Sequence, residues 1–415
     1  MSANLARLAI LLLFATLLGA WLILRAEAPT PIRIGVVHAL SGVMADSERG
    51  LVDATRLAVE ELNANGGVLG RPVEMLIADS RSDWGHAAAE AERLIRDEKV
   101  SALFACWTSS CRQAVRPVVE KYRHLMFYPL QYEGMEQSPN IIYMGAAPNQ
   151  QIIPGARWAM DRFGPKTYLL GSDYLFPRAA NLLIRELIQT GKGHLLAERY
   201  QAMTASDFSA IAEEIRQLKP DVVLNTLNGA SNRYFFAALA AAGLGNTPVV
   251  SFSIAEPELQ ALGLQNFHPE HFAVWGYFQS LPGAANQKFV AQFRQRFGTE
   301  RVTSDPILSS HDAVLLWATA VREAGTADPA QVNRSIGRVS IPSPAGIVAT
   351  EATTRHLWRR VYVGKAQVNG QFEATEISEA PVRPAPFPSY RSRAEWLAQV
   401  KQITHPATPA DKGEK

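Results

Sequence analysis

The chain has little that would support covalent chemistry or a cross-linked scaffold. Its 415 residues include only two cysteines, Cys106 and Cys111, so no disulfide framework can hold the fold together. The sequence contains no H-E-x-x-H, C-x-x-C, P-loop or G-x-G-x-x-G pattern, and the nearest approach to a nucleophile elbow, residues 229–233, lacks the final glycine. We therefore expect no enzymatic activity, no cofactor and no metal.

The chain also lacks a marked excess of positive or negative charge. The formal net charge is +2 and no basic stripe is present, so we expect no nucleic-acid partner. Hydrophobic residues make up 47% of the chain, as in ordinary globular proteins, and the length is sufficient for two lobes. The two cysteines, five positions apart, leave two interpretations open: a disulfide in an oxidising compartment or two half-buried free thiols. We favour the free thiols.

The N-terminus carries an export signal. Residues 8–24 form an apolar run bounded by Arg7 and Arg25, and Ala26-Glu-Ala28 resembles a signal-peptidase site. The run also reaches the lower limit of length for a membrane-spanning helix. We interpret residues 1–29 as either a cleaved signal peptide or an uncleaved anchor in the inner membrane. Under both interpretations the rest of the chain is exported.

From residue 32 onward, short apolar runs alternate with helical patterns. Predicted strands include residues 32–37, 73–78, 100–105, 167–171, 222–227 and 249–253. Repeated βα units of this length predict α/β architecture, with parallel sheets flanked by helices, and ten or more strands suit two sheets. Asn369-Gly370, between the apolar segments 358–363 and 371–373, predicts a β-hairpin. Composition predicts disorder after Thr404.

A candidate binding edge lies where the strand 100–105 meets a predicted helix at 110–120. The connecting residues 106–109 are Cys-Trp-Thr-Ser, which place an aromatic ring and two hydroxyls at a helix N-terminus. These side chains are neutral, which favours a small uncharged polar ligand over an acid or a phosphate. The alternative is that Thr108 or Ser109 merely caps the helix.

The chain resembles the type I periplasmic solute-binding proteins, in the branch that holds the urea-binding protein of urea transporters and the amide-sensing regulator of aliphatic amidase. The resemblance covers residues 32–390. Its most specific stretches are ADSER (45–49), NGGVLGRP (65–72), CWTS (106–109), FYPLQYEG (127–134), APNQ (147–150) and GSDYLFPR (171–178). General branched-chain amino acid binders share the fold but are not similar in these stretches.

The resemblance implies two α/β lobes joined by three hinge crossings that close on a ligand. Lobe I would comprise residues 30–149 plus 278–345 and lobe II residues 150–277 plus 346–390, with 391–415 as a C-terminal extension. The implied function is capture of urea or a short amide for an ABC permease. The alternatives are a membrane-anchored sensor that reports to a signalling partner, and a branched-chain amino acid binder.

The resemblance also implies a pocket. Ser109 would bind the ligand amide through its hydroxyl and backbone N–H, Trp107 would stack on a planar ligand, and Tyr128 would offer its phenol. Thr108 and Gln131 belong to the same two loops. For each aromatic residue the alternative is ordinary packing inside its lobe.

The second lobe would contribute Tyr174 and Phe176 as an aromatic wall. Phe176 stands where both relatives have tyrosine, which removes one hydroxyl from that wall. Glu256 either accepts N–H bonds from the ligand or is simply a first-turn acid of a helix, and we favour the second interpretation. An amino-acid ligand would need a buried acid for its ammonium, for which Glu256 is the sole candidate. We therefore favour urea, then short amides, then amino acids.

Overall fold

The structure is a computed structural model that describes Arg7 and residues 29–191 and 193–404. The predicted signal or anchor segment, residues 8–24, lies outside the described residues, as does the tail beyond 404. Within the described ranges, none of the helices has both the length and the apolar character needed to cross a bilayer. Anchoring to the inner membrane therefore stays a prediction.

The described residues form strands and helices in regular alternation. The strands are β1 (Ile32–His38), β2 (Val73–Asp79), β3 (Leu103–Ala105), β4 (Met126–Tyr128), β5 (Ile141–Tyr143), β6 (Lys166–Ser172), β7 (His194–Gln201), β8 (Val222–Thr226), β9 (Val249–Ser251), β10 (His271–Trp275), β11 (Ser340–Ser343), β12 (Gly346–Ala349), β13 (Tyr362–Ala366) and β14 (Phe372–Glu376). The α-helices are α1 (Ala45–Ala64), α2 (Trp84–Arg96), α3 (Ser109–Lys121), α4 (Ile152–Phe163), α5 (Leu175–Thr190), α6 (Ser209–Leu218), α7 (Ser231–Ala241), α8 (Glu256–Leu262), α9 (Ala284–Phe297), α10 (Asp305–Ala324), α11 (Pro329–Ser335) and α12 (Arg393–Thr404).

The first large sheet has the order β2-β1-β3-β4-β5, and all its pairings are parallel. Helices α1 and α10 pack together on one face, and α2 and α3 on the other. Strands buried on both faces need continuous apolar runs, and β3, β4 and β5 are buried along their whole length. The predicted parallel arrangement of these strands is confirmed.

The second large sheet has the order β14-β13-β10-β9-β8-β6-β7. Its strands β6 to β10 run parallel, whereas β13 is antiparallel to both β10 and β14. The predicted hairpin is confirmed, and Gly370 takes the positive φ of 73° that its turn requires. Its first strand begins at Tyr362 rather than at residue 358. The Arg359 guanidinium, three residues earlier, contacts the buried Asp305 carboxylate at 2.5 Å.

The chain therefore has a two-lobed α/β fold, with parallel sheets flanked by helices, as predicted. One difference concerns the polar segment between β1 and Gly50: its sequence predicts a loop, whereas residues 45–50 form the first turns of α1. The polar pattern predicted a loop wrongly because Glu48 is buried in the folded protein. Its carboxylate accepts from Ala39 N at 2.9 Å and contacts His38 Nδ1 at 2.8 Å.

Candidate functional site

The turn between β3 and α3 lies at a switch point of the first sheet. Strand β1 lies between β2 and β3, so the chain continues from β1 to one side of the sheet and from β2 to the other side of β1. At such a point the loops after the neighbouring strands diverge and leave a crevice at the carboxyl ends of the strands. Thr108 is the N-cap of α3, since its hydroxyl oxygen accepts from the Cys111 N–H at 3.1 Å. The capping alternative therefore holds for Thr108.

The two cysteines form a disulfide, so the preference for free thiols was wrong. Cys106 adopts a left-handed conformation, with φ of 71°, and the helix that begins at Ser109 turns Cys111 back toward it. The two Cα atoms are 5.5 Å apart, an ordinary separation for a disulfide. Sequence spacing alone could not reveal the backbone conformation at Cys106.

We expect the oxidised, denatured protein to react with no thiol-alkylating reagent, because both sulfurs are engaged. After reduction, two cysteines should be alkylated, which mass spectrometry detects directly. Alkylation of the unreduced protein would contradict the pairing.

The structure brings Trp107, Ser109 and Tyr128 together. The Tyr128 hydroxyl donates to the Trp107 carbonyl at 2.7 Å, and all three residues are buried. Burial raises the pKa of Tyr128 well above its usual range, so its phenol keeps its proton at neutral pH. Because that proton is committed to a backbone carbonyl, Tyr128 can offer a ligand only its oxygen lone pairs.

Charged groups lie directly behind Ser109, which the sequence analysis did not anticipate. The Ser109 hydroxyl donates to Glu133 Oε2 at 2.5 Å and accepts from Arg112 Nη1 at 3.1 Å. Arg112 also bonds Glu133 Oε1 and Glu136 Oε1, each at 2.9 Å. We call Arg112, Glu133 and Glu136 the Arg112 cluster; its three side chains are no more than 2% exposed. Buried charges therefore lie behind the neutral side chains of residues 106–109.

The Arg112 cluster extends through Glu136 to Tyr143 and His356. Burial acts to raise the pKa of Glu136, but the guanidinium groups of Arg112 and Arg116 hold it below its usual range. Glu136 Oε1 also accepts from the Tyr143 hydroxyl at 2.8 Å. The ring of His356 stacks on Tyr143 with 4.2 Å between centroids, and burial lowers the pKa of His356 to about 3. This histidine is therefore neutral at physiological pH.

Of the two aromatic residues predicted for the second-lobe wall, Tyr174 lies near Tyr128 and Glu133. Phe176 does not share these polar surroundings. Helices α3 and α5 pack against each other, and Tyr174 is the N-cap residue of α5. Burial raises the pKa of Tyr174 well above its usual range, and nearby Tyr128 and Glu133 act in the same direction. Phe176 packs in the apolar core of the second lobe. A cavity of about 700 Å³ is lined by Ser110, Tyr174, Arg178, Tyr200 and Gln399, among others.

Gln131 reaches across to the segment that follows β9. Its amide Nε2 donates to the Phe252 carbonyl at 3.0 Å, and Gln151 Nε2 donates to the same oxygen at 3.3 Å. The side-chain oxygens of both glutamines and the Ser253 hydroxyl are buried without a hydrogen-bond partner among the described residues. Gln151 and Ser253 were missed by sequence reasoning, although Gln151 directly follows the family-like stretch 147–150.

Glu256 is the first residue of α8, as the first-turn interpretation predicted. Its Oε1 accepts from the Gln279 N–H at 2.7 Å, whereas its buried Oε2 has no partner among the described residues. Burial raises the pKa of Glu256 to about 8, so its side chain is largely a neutral acid at pH 7. Within the described part of the chain, no cluster of His, Cys, Asp and Glu could hold a metal ion.

Residues 32–393 match the family model described as "Periplasmic binding protein domain". The match covers most of the chain, so the protein belongs to this family of periplasmic binding proteins. Membership implies a periplasmic location.

Two curated relatives match short segments. The chain is 36% identical over 112 residues to "Leu/Ile/Val-binding protein homolog 7" of Brucella suis, a match that covers 26% of this chain and 27% of that protein. It is 28% identical over 117 residues to a protein named "Limonene hydroxylase" from Geobacillus stearothermophilus, covering 28% of this chain and 21% of that protein. The chain thus spans about a quarter of the length of these relatives.

Solved structures share the fold over most of the chain. The branched-chain amino acid binding protein LivJ of Streptococcus pneumoniae, in complex with isoleucine, has a TM-score of 0.75 at 19% identity and covers 84% of this chain and 99% of its own. A solute-binding protein of R. palustris in complex with 4-hydroxybenzoate has a TM-score of 0.75 at 22% identity and covers 84% and 96%. At these identities the likeness establishes the fold alone.

Proposed function

We propose that the protein captures urea or a short aliphatic amide between two lobes and delivers it to an ABC permease. The proposed lobes are residues 30–149 plus 278–345 and residues 150–277 plus 346–390, followed by a C-terminal extension at 391–415. This division is supported by the two large sheets, whose strands fall in the first and the second set of ranges respectively.

The arrangement at the start of α3 carries the proposal. The N–H groups of Ser109 and Ser110 lie in the first turn, where a helix supplies no internal acceptor, so they are available for a ligand carbonyl. The Ser109 and Tyr128 oxygens lie beside them and can accept N–H bonds. A small neutral molecule with one carbonyl and one or two amide N–H groups matches this set of donors and acceptors.

A branched-chain amino acid is the second candidate ligand, favoured by the names of the Brucella relative and of LivJ. Such a ligand needs a charged partner for its ammonium group. Both oxygens of Glu133 are engaged by Arg112 and Ser109, and the buried Glu256 would have to ionise against its raised pKa to supply that partner. These contacts support the amide over the amino acid. A sensor anchored by residues 8–24 remains the alternative to transport.

We expect isothermal titration calorimetry to show binding of urea or acetamide by the purified protein and no comparable heat from leucine or 4-hydroxybenzoate. The reason is that the first turn of α3 offers uncharged donors and acceptors without a counter-ion for ammonium. Heat from leucine alone would overturn the assignment of ligand class.

We expect Ser109→Ala to weaken binding of the amide ligand at least about tenfold, the effect of roughly one well-made hydrogen bond to a small ligand. Ser310→Ala is a matched control, because that buried hydroxyl donates to the Pro306 carbonyl within α10. Unchanged affinity in Ser109→Ala, or an equal loss in the control, would remove Ser109 from the site.

A further inference from the structure

The Ser109 hydroxyl has little freedom left for a ligand. A hydroxyl group carries one proton to donate and two lone pairs to accept with. The proton is directed at Glu133 Oε2, 2.5 Å away, and one lone pair receives Arg112 Nη1 at 3.1 Å. Only one lone pair of the oxygen is therefore uncommitted.

The two partners of the hydroxyl are themselves fixed in place. The Arg112 guanidinium lies over the rings of Tyr128 and Tyr132, at 4.8 Å and 4.6 Å from their centroids, and Glu136 holds its Nε at 2.9 Å. Glu133 is held in turn by Arg112 Nη2 at 2.9 Å. Rotation of the Ser109 hydroxyl toward a ligand would break a charge-assisted bond to a buried carboxylate, which is costly.

We propose that Glu133 and Arg112 fix the Ser109 hydroxyl as a hydrogen-bond acceptor, so that the site selects ligands bearing N–H groups and rejects carboxylates. Glu133 and Arg112 are positioning residues in this scheme, because they act through Ser109. The inference rests on the proposed function in one respect, namely that the ligand lies at the first turn of α3.

Rejection of a carboxylate follows from the same contacts. A ligand carboxylate at the first turn of α3 could accept from the backbone N–H groups with one oxygen only. Its other oxygen would face a lone pair of Ser109, with the Glu133 carboxylate directly behind it. The neighbouring Tyr128 hydroxyl gives no relief, because its proton is donated to the Trp107 carbonyl. The N–H groups of an amide can donate to the Ser109 and Tyr128 hydroxyl oxygens. Its carbonyl can then accept from the backbone N–H groups of the first turn.

The test compares matched amides and acids that differ only in the group facing Ser109: acetamide against acetate, and leucinamide against leucine. Titration calorimetry on the intact protein at pH 7.5 should show each amide that binds to be at least about tenfold tighter than its acid. An acid that binds as tightly as its amide would overturn the inference.

Glu133→Gln is the variant that should alter this preference. Arg112 Nη2 requires an acceptor, so the glutamine oxygen should face Arg112 and its NH₂ group should face Ser109. The Ser109 proton is then released, and we expect the amide-to-acid ratio to fall at least about tenfold. Glu136→Gln is the matched control: it lies in the same cluster, is equally buried and bonds Arg112 Nε without contacting Ser109. An equal fall in Glu136→Gln, or none in Glu133→Gln, would contradict the inference.

Ser109→Ala provides a second test that does not disturb the charges. It should weaken an amide about tenfold while leaving the matched acid unchanged or tighter, whereas loss of acid binding would show that the hydroxyl donates. The outcomes also separate the two proposals. Preference for leucinamide over leucine without any binding of urea or acetamide overturns the assigned ligand and supports the acceptor role. Binding of none of these compounds overturns both.

Discussion

Replacing Arg112 with leucine is expected to lower the free energy of unfolding by about 3–5 kcal/mol. The arginine is fully buried between two carboxylates, Glu133 and Glu136, that are each only 2% exposed. Removing the cation leaves both acids without their main partner, and the loss of a partner costs far more than the pair contributes. Guanidinium chloride denaturation followed by circular dichroism measures the effect and avoids urea, the proposed ligand.

Two further variants define what this result means. Arg96→Leu removes an exposed arginine that pairs with Asp97, and it should leave the unfolding midpoint nearly unchanged. Adding Glu133→Gln and Glu136→Gln to Arg112→Leu should recover part of the loss, because the uncompensated charges are then gone. A single Arg112→Leu variant within about 1 kcal/mol of the parent would contradict the role assigned to the cluster.

Two buried histidines are expected to make the protein sensitive to acid. Burial lowers the pKa of His271 to about 3, with His268 acting in the same direction, and burial lowers the pKa of His356 to about 3 as well. The unfolded chain takes up these protons below pH 6.5, whereas the folded chain does not until about pH 3. Each histidine therefore removes about 3 kcal/mol of stability as the pH falls from 6.5 to 4.

The measurement is the difference in unfolding free energy between the parent and His271→Gln or His356→Gln at several pH values. A difference is needed because the raised pKa of Glu256, about 8, stabilises the fold as the pH falls toward 4.5 and so opposes the histidines. The parent should lose stability relative to each variant by about 3 kcal/mol between pH 6.5 and 4. His194→Gln, at the exposed start of β7, is the control. A difference independent of pH would contradict the prediction.

The sequence predicted those parts of the fold that depend on local pattern. The alternation of apolar runs and helical spacing located the parallel strands, and Asn369-Gly370 located the hairpin because its backbone conformation demands such residues. The beginning of α1 was misplaced because a buried acid, Glu48, resembles a loop residue when its partners are unknown. Patterns within a short window cannot register contacts with residues nine and ten positions away.

Three of the residues predicted for the site lie together, whereas the charges behind them were not predicted. Trp107, Ser109 and Tyr128 do meet, because β3 and β4 are neighbouring parallel strands whose carboxyl ends lie at one edge. In the Arg112 cluster behind them, Glu133 accepts from Ser109, which lies 24 positions earlier in the chain. The loop that carries Glu133 takes a path that only the folded structure determines. The sequence nevertheless contained an indication that Arg112 is buried. It directly follows Cys111, which lies with Val115 and Val119 on the buried face of α3.

The last strand of the second sheet has a consequence for solubility. β14 lies at an outer edge, where unpaired backbone groups invite pairing with another chain. Its residues Glu373, Thr375 and Glu376 are exposed. A second molecule that paired with this edge would have to bring side chains of like charge together and remove the water around them. The polar side chains of β14 therefore oppose pairing of two copies of the protein along this edge.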